Sequence, residues 1–216
     1  MVRIGLLGGT FDPIHNGHVQ LALAARSELS LDTVLLIPAA SPPHKCSRAV
    51  TPFEHRKKML LLALAATEGL TPCFIEGELP APSYTIDTLR VLQQQGNRSA
   101  EYFFIIGVDA FADLLTWKEY AELLRRVTLI VARRKGFAAT KKLDEIAAVL
   151  GYEQLSDVWR SYTGLHDILF LHSQPLEISS SQIRRLLLSG AVSVPGVSGE
   201  VVAYARRHHL YIAAHD

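Results

Sequence analysis

Residues 2–18 read VRIGLLGGTFDPIHNGH, and this stretch decides the fold. Val2 to Leu7 is a short apolar run of strand type, ended by Gly8 and Gly9. A loop runs to about His15. A helix is expected from Asn16 to Leu29, with Val19, Leu21, Leu23 and Ala24 on its apolar side. Strand, glycine-bearing loop and helix in succession make the first part of a βαβ unit. Thr33 to Pro38 supplies the next strand, and its unbroken VLLIP run fits burial on both faces of a sheet.

The same alternation continues outward from this unit. Thr51 as N-cap, Pro52 at the first helical position and Glu54 as the far half of a capping box predict a helix reaching about Glu68, stopped by Gly69. Thr71 to Glu76 is a third expected strand. Tyr84 to Gln95 is a helix stopped by Gly96, and Glu101 to Ile106 is strand four. A helix near Lys118 to Leu124 precedes strand five, Thr128 to Ala132. Between Arg134 and Leu165 the pattern is weaker, with a helix at Leu143 to Leu150 and a short one near Trp159. Asp167 to Leu171 is the last expected strand, followed by helices at Ser180 to Ser189 and Gly199 to His208.

Strands alternating with helices predict an α/β chain: a Rossmann-like, doubly wound parallel sheet with a small C-terminal helical part. One domain is expected over residues 1–216. Its core is 1–133, a variable segment covers 134–166, and the last strand and C-terminal helices occupy 167–216.

Composition narrows the function classes. Lys and Arg total 22 against 21 for Asp and Glu, a formal net charge of +1. Near neutrality argues against a broad basic face for nucleic acid. The longest unbroken apolar run, Met59 to Ala66, is far too short to span a bilayer. Cys46 and Cys73 lie far apart and form neither a disulfide framework nor a zinc knuckle, so reduced thiols in a cytoplasmic protein are expected. A homo-oligomer stays open.

The loop GGTFDPIHNGH is neither GxGxxG nor a Walker A loop. It nevertheless has the physical parts of a phosphate site. Gly8 and Gly9 let a ligand approach the backbone, and the helix N-terminus supplies N–H donors and the positive end of a dipole. His15 and His18 are spaced to share one face at that helix start. Two imidazoles aimed at one phosphate stabilise charge that grows in a transition state. Each histidine alone reads as an ordinary cap or loop residue; flanked by three glycines after the first strand, the pair does not. A metal site built from the pair has no cysteine or acidic pair at ligand spacing behind it.

The polar motifs also share a location. HNGH follows strand one, PPHK (Pro42–Lys45) strand two, SYTIDTL (Ser83–Leu89) strand three and GVD (Gly107–Asp109) strand four. Arg133 follows strand five, and ISSSQIR (Ile178–Arg184) strand six. In an open parallel sheet the ligand crevice lies outside the carboxyl ends of the strands, so six motifs converge on one edge.

GGTFDPIHNGH resembles the HxGH signature of the nucleotidylyltransferase superfamily, and ISSSQIR resembles its second signature. SYTIDTL, PPHK, IIGVDAF (Ile105–Phe111), Trp117 followed by Lys118, and Pro195 with VVAYARRHHLY are similar to the nicotinate-mononucleotide adenylyltransferase branch. The likeness covers nearly the whole chain and is weakest over 134–165. Where the branch usually reads RPG, this chain reads Arg133-Arg134-Lys135-Gly136.

The resemblance implies adenylyl transfer from ATP, with magnesium accompanying the nucleotide and nicotinate mononucleotide as acceptor. It implies that His15, His18 and Arg184 act on the ATP phosphates, beside Gly8, Gly9, Thr10 and Phe11. Ser179, Ser180 and Ser181 would hold the same phosphates, although a serine N-cap alone also accounts for that segment. Ile106 and Gly107 would meet adenine and Asp109 the ribose hydroxyls. On the mononucleotide side the resemblance implies His44, Lys45 and Arg133 near the phosphate and Trp117 stacked on the pyridinium. Tyr84 and Thr85 open a helix whose N–H groups suit a pyridine carboxylate. Asp87 has an alternative reading as a first-turn acid, and Trp159 is expected in the core.

The resemblance leaves two other classes to weigh. A phosphopantetheine adenylyltransferase shares HxGH but is usually shorter and lacks SYTIDTL. A catalytically silent nucleotide-binding regulator would be marked by loss of His15, His18 or Arg184, and all three are present.

Overall fold

In the computed structural model, residues 1–42, 50–96, 99–134, 140–173, 176 and 178–212 are described. The chain runs β1 (Val2–Gly9), α1 (Asn16–Glu28), β2 (Thr33–Pro38), α2 (Phe53–Leu64), β3 (Leu70–Pro72), a 3-10 turn (Ile75–Glu78) and α3 (Thr85–Gln95). It continues with β4 (Ala100–Gly107), α4 (Val108–Ala112), a second 3-10 turn (Leu114–Thr116), α5 (Tyr120–Arg126) and β5 (Thr128–Ala132). Then come α6 (Thr140–Leu150), β6 (Tyr152–Leu155), β7 (Val158–Ser161), β8 (Ile168–Leu171), α7 (Ser180–Leu188) and α8 (Gly199–Arg207).

The sheet order is β3-β2-β1-β4-β5-β8-β7-β6. The first six strands in this order pair in parallel, with Gly5 opposite both Val34 and Phe103. The chain winds outward from β1 through β2 and β3, then returns to lay β4 on the other flank of β1. That reversal between β1 and β4 is the topological switch point where α/β sheets bind ligands.

Alternation along β4 shows how the sheet is buried on both sides. Phe104 and Ile106 face a core with Ile86, Leu89, Phe111 and Leu124. Phe103 and Ile105 face the opposite core with Ile14, Ala25, Leu36 and Met59. Helices α1 and α2 thus cover one face and α3 to α6 the other. A third cluster joins α7 to α8 through Ile183, Leu187, Val202 and Ala205.

The structure corrects four expected elements. Helix α2 begins at Phe53 with Pro52 as its cap, and no side chain caps it. Thr51 is occupied elsewhere: its carbonyl accepts from Arg56 Nε at 2.8 Å. Glu54 pairs with Lys57 at 3.1 Å rather than closing a capping box, and the helix ends at Leu64. Strand β3 stops at Pro72, because the chain turns inward to bury Glu76. Helix α5 starts at Tyr120, after α4 and a 3-10 turn that the sequence pattern did not separate.

The fourth correction is the short helix expected near Trp159. That segment is strand β7, paired antiparallel with both β6 and β8. The pattern of VWRS is the reason: Trp159 points inward against Phe111 and Phe170, with ring centroids 5.5 Å and 5.1 Å away, while Arg160 points out. The doubly wound parallel sheet therefore carries an antiparallel hairpin on one edge. Trp159 is a core residue, as the sequence leads one to expect.

Candidate active site

The site begins where β1 hands over to α1. His15 is the N-cap of α1 in an extended conformation, and only 6% of it is exposed. Its N–H donates to His18 Nδ1 at 3.3 Å. The two imidazoles stack with centroids 3.6 Å apart and planes inclined by 22°. Phe11 meets the His18 ring edge-on at 4.9 Å. Gly17 makes the arrangement possible, because a Cβ there would sit 3.0 Å from His15 Nδ1 and 3.2 Å from the Leu176 carbonyl. Gly9 does the same for Phe11, whose ring lies 2.9 Å from where a Cβ would be.

The electrostatics of the pair follow from this geometry. Burial pushes the His15 pKa down to about 4, so this ring is neutral at pH 7. His18 accepts at Nδ1, so in its neutral form the ring proton sits on Nε2. One imidazole is thereby a fixed neutral wall and the other a donor.

The second signature docks on the first. Ser179 caps α7: its Oγ accepts from the Gln182 N–H at 3.2 Å, and Gln182 Oε1 accepts from the Ser179 N–H at 3.2 Å. The expected serine cap is real. Ser180 Oγ donates to the Pro13 carbonyl at 3.0 Å. Arg184 Nη1 donates to the Asp12 carbonyl at 2.6 Å, and Nη2 to Ser181 Oγ at 2.8 Å. Residues some 170 positions apart in the chain thus form one wall. Asp12 itself is buried, and its Oδ1 accepts from the Tyr211 hydroxyl at 2.6 Å.

Two cavities meet at His18, and one of them reaches this wall at Ser179 and Ser180. One of about 330 Å³ is lined by His15, His18, Gly107, Asp109, Arg133, Ser179 and Ser180. Asp109 there pairs with Arg134 at 2.8 Å. The other, of about 360 Å³, is lined by Gly8, Gly9, Thr10, His18, Glu76, Tyr84, Thr85, Ile106, Gly107, Trp117 and Lys118. His18 and Gly107 belong to both cavities. The junction lies at the carboxyl ends of β1 and β4, the switch point of the sheet.

Trp117 is half-buried behind the second 3-10 turn, edge-on to Phe104 at 6.0 Å. Tyr84 caps α3 with its backbone only, and the first-turn amides of a helix have no intrahelical acceptor. Asp87 does more than face a dipole: Oδ2 holds Lys118 Nζ at 2.8 Å, and Arg90 bridges Asp87 to Glu119. These pairs tie the Trp117 loop to α3.

The expected residues do not divide cleanly between the cavities: Gly8, Gly9, Thr10 and Ile106 line the one with Trp117, and Ser181 and Arg184 line neither but a separate one beside Tyr211. Arg133 lines the cavity with His15 and Asp109, across His18 from Trp117. Its guanidinium binds Asp157 at 2.6 Å and lies over Phe170. His44 and Lys45 lie outside the described residues, as does Cys46. Cys73 is a free thiol.

Sequence reasoning missed Arg56 and Glu76. Arg56 is 1% exposed and sits on the same stripe of α2 as buried Met59 and Leu60. A charged residue inside an apolar stripe is the available signal. Glu76 is also buried, which pushes its pKa up; it accepts from Thr88 Oγ1 at 2.9 Å and from the Ala40 N–H at 3.3 Å. It had been read as part of a strand. Among the described residues no group of three or more His, Cys, Asp or Glu side chains is arranged to hold a metal ion. Among them, too, no helix is long and apolar enough to cross a membrane.

An α/β sheet with two cavities meeting over a histidine at its switch point defines a nucleotide-handling enzyme. Residues 6–186 match the cytidylyltransferase-like family. A Desulfotalea psychrophila protein named a probable nicotinate-nucleotide adenylyltransferase is 40% identical over 98% of this chain and 100% of its own length. A Pelobacter propionicus protein of the same name is 38% identical over 97% of this chain and 98% of its own. The Plasmodium falciparum nicotinic acid mononucleotide adenylyltransferase complexed with NaAD shares the fold, with a TM-score of 0.72 at 18% identity over 98% of both chains. This chain belongs to the nicotinate-nucleotide adenylyltransferases, within the cytidylyltransferase-like family.

Proposed function

We propose that the chain transfers the adenylyl group of ATP to nicotinate mononucleotide, giving nicotinate adenine dinucleotide and pyrophosphate. The observation that supports this reading best is the meeting of two cavities at His18. A two-substrate transfer needs two subsites whose reacting ends touch.

ATP takes the cavity of His15, Asp109 and Ser179, with its adenine toward the Gly107 backbone. The mononucleotide takes the cavity of Tyr84, Thr85 and Trp117. An oxygen of the mononucleotide's phosphate attacks the α-phosphorus in line. The bond from the α-phosphorus to its bridging oxygen breaks, and the electron pair leaves on pyrophosphate. The nucleophile is already an anion, so no base and no covalent enzyme intermediate is needed. The protein aligns two anions and stabilises the crowded transition state. His18 donates to the α-phosphate from Nε2, with neutral His15 holding its ring in place. The amides at the start of α7 receive the departing charge, and Arg184 holds that helix start against the Asp12 carbonyl. Magnesium held by the ATP phosphates would supply positive charge to the departing pyrophosphate.

Acid is preferred over amide on simple grounds. The pyridine carboxylate accepts from the free amides at the start of α3 and gains from the helix dipole. A carboxamide offers one acceptor oxygen, and its N–H donors gain nothing from helix-start amides that are themselves donors.

The test is pyrophosphate release from Mg-ATP with nicotinate mononucleotide, nicotinamide mononucleotide or phosphopantetheine. Fastest release is expected with the first. No release with either pyridine nucleotide overturns the proposal.

A further inference from the structure

The buried guanidinium of Arg56 lines neither cavity, yet it holds two sides of the one that Trp117 lines, at Thr10 and Ala39. Nη1 donates to the Thr10 carbonyl at 2.8 Å and to the Ala39 carbonyl at 2.7 Å. Nη2 donates to the Ala40 carbonyl at 3.3 Å, and Nε to the Thr51 carbonyl at 2.8 Å. Thr10 belongs to the loop after β1. Ala39 and Ala40 follow β2, and Thr51 precedes α2, so one side chain joins the first loop to both flanks of residues 43–49.

A second buried charge completes the clamp from the other side. Glu76 accepts the Ala40 N–H, and the Ser83 hydroxyl lies between Glu76 and the Ser41 N–H, from which it accepts at 3.0 Å. The Ala39 N–H in turn reaches the Gly9 carbonyl at 2.8 Å. Arg56 therefore holds the carbonyls of Ala39 and Ala40, the Ser83 N–H holds that of Ser41, and Gly9, Glu76 and Ser83 hold the amides of residues 39–41.

Stability alone gives a poor reason for this device. Burying a guanidinium is costly, and an apolar side chain of the same volume often serves the fold as well or better. A fork of donors, however, fixes several carbonyls in one plane, which neither an apolar residue nor a lysine's single ammonium can do.

We propose that Arg56 is a positioning residue that sets the spacing between the loop after β1 and residues 39–41, two sides of the cavity lined by Trp117, a role that rests on the two-substrate reading above. The test compares wild type with Arg56→Ala and Arg56→Lys by steady-state kinetics, thermal unfolding and amide hydrogen exchange. Arg56→Ala is expected to lose on the order of 100-fold in kcat/KM, because small misplacements of reacting groups have effects of that size. Guanidinium, well below concentrations that unfold wild type, is expected to restore about tenfold or more, and tetramethylammonium is not. Wild-type kcat and KM for both substrates in a variant with lowered Tm overturn the proposal. So does guanidinium that restores Tm without restoring kcat. If wild type itself releases no pyrophosphate, the substrate reading fails and exchange decides the role of Arg56. Faster exchange at Ala39 to Ser41 with β4 unchanged supports it, and unchanged exchange there overturns it. Should Arg56→Ala not fold, Arg56→Lys carries the same comparisons.

Discussion

The ring of His15 lies flat against that of His18, with centroids 3.6 Å apart, and the buried member of the pair is neutral at pH 7. Were both rings charged at this distance, they would repel strongly inside a partly desolvated wall. The stack is compatible with one charge at most.

This gives a pH prediction with a definite sign. The His15 pKa falls from 6.5 in the unfolded chain to about 4 in the fold. Below pH 6.5 the unfolded state therefore binds more protons, and stability declines as pH falls. The loss is nil above about pH 6.5, grows down to pH 4, and amounts to about 3 kcal/mol at most. Tm of wild type should fall more steeply than that of His15→Asn across this window. Parallel curves would show that His15 does not titrate as its burial requires.

His18 should matter to the transition state more than to the bound ground state. His18→Ala is expected to lower kcat by roughly 100- to 1000-fold, the usual effect of removing one oriented donor to a developing anion. The KM for ATP should change little. A larger effect on KM than on kcat would assign His18 to binding.

Trp117→Ala should raise the KM for nicotinate mononucleotide about tenfold, the size of a partly desolvated cation–π contact. The KM for ATP should stay the same, because Trp117 lines only the cavity on its own side of His18. Initial rates with each substrate varied in turn check both parts. An unchanged mononucleotide KM would remove Trp117 from the site.

Trp159 tests the edge hairpin instead of the chemistry. Trp159→Ala empties a buried site between Phe111 and Phe170 and should cost about 3–5 kcal/mol. The KM values of the folded enzyme should not move. Urea unfolding measures the first quantity and initial rates the second.

These residues also mark how far the sequence could be read. The loop from Gly8 to His18 was legible because glycines, helix start and histidines act locally, within a few residues of one another. The parallel, doubly wound core followed from the alternation of strands and helices, while the strand order and the antiparallel edge hairpin did not. The inward place of Trp159 was legible, but the strand around it was not, because four residues carry too little periodicity to separate a strand from a helical turn. Glu76 was misread because its inward turn answers to Thr88 and Ala40, which no local pattern announces. Arg56 leaves a local trace, a charge on the apolar stripe of Met59 and Leu60, but its partners are main-chain carbonyls that any residue would supply. Arg133 was found, but Asp157 and Phe170 draw it to the opposite cavity.

The shared wall at His18 and Gly107 has a kinetic consequence. A dinucleotide product is a molecule with one half for each cavity, already joined over the histidine. It pays the entropy of association once and gains the contacts of both substrates, as any tethered pair of ligands does. Such a product should compete with ATP and with the mononucleotide alike, and it should leave slowly. Turnover would then be governed by escape of the joined nucleotide, and a rising pool of product would throttle its own synthesis.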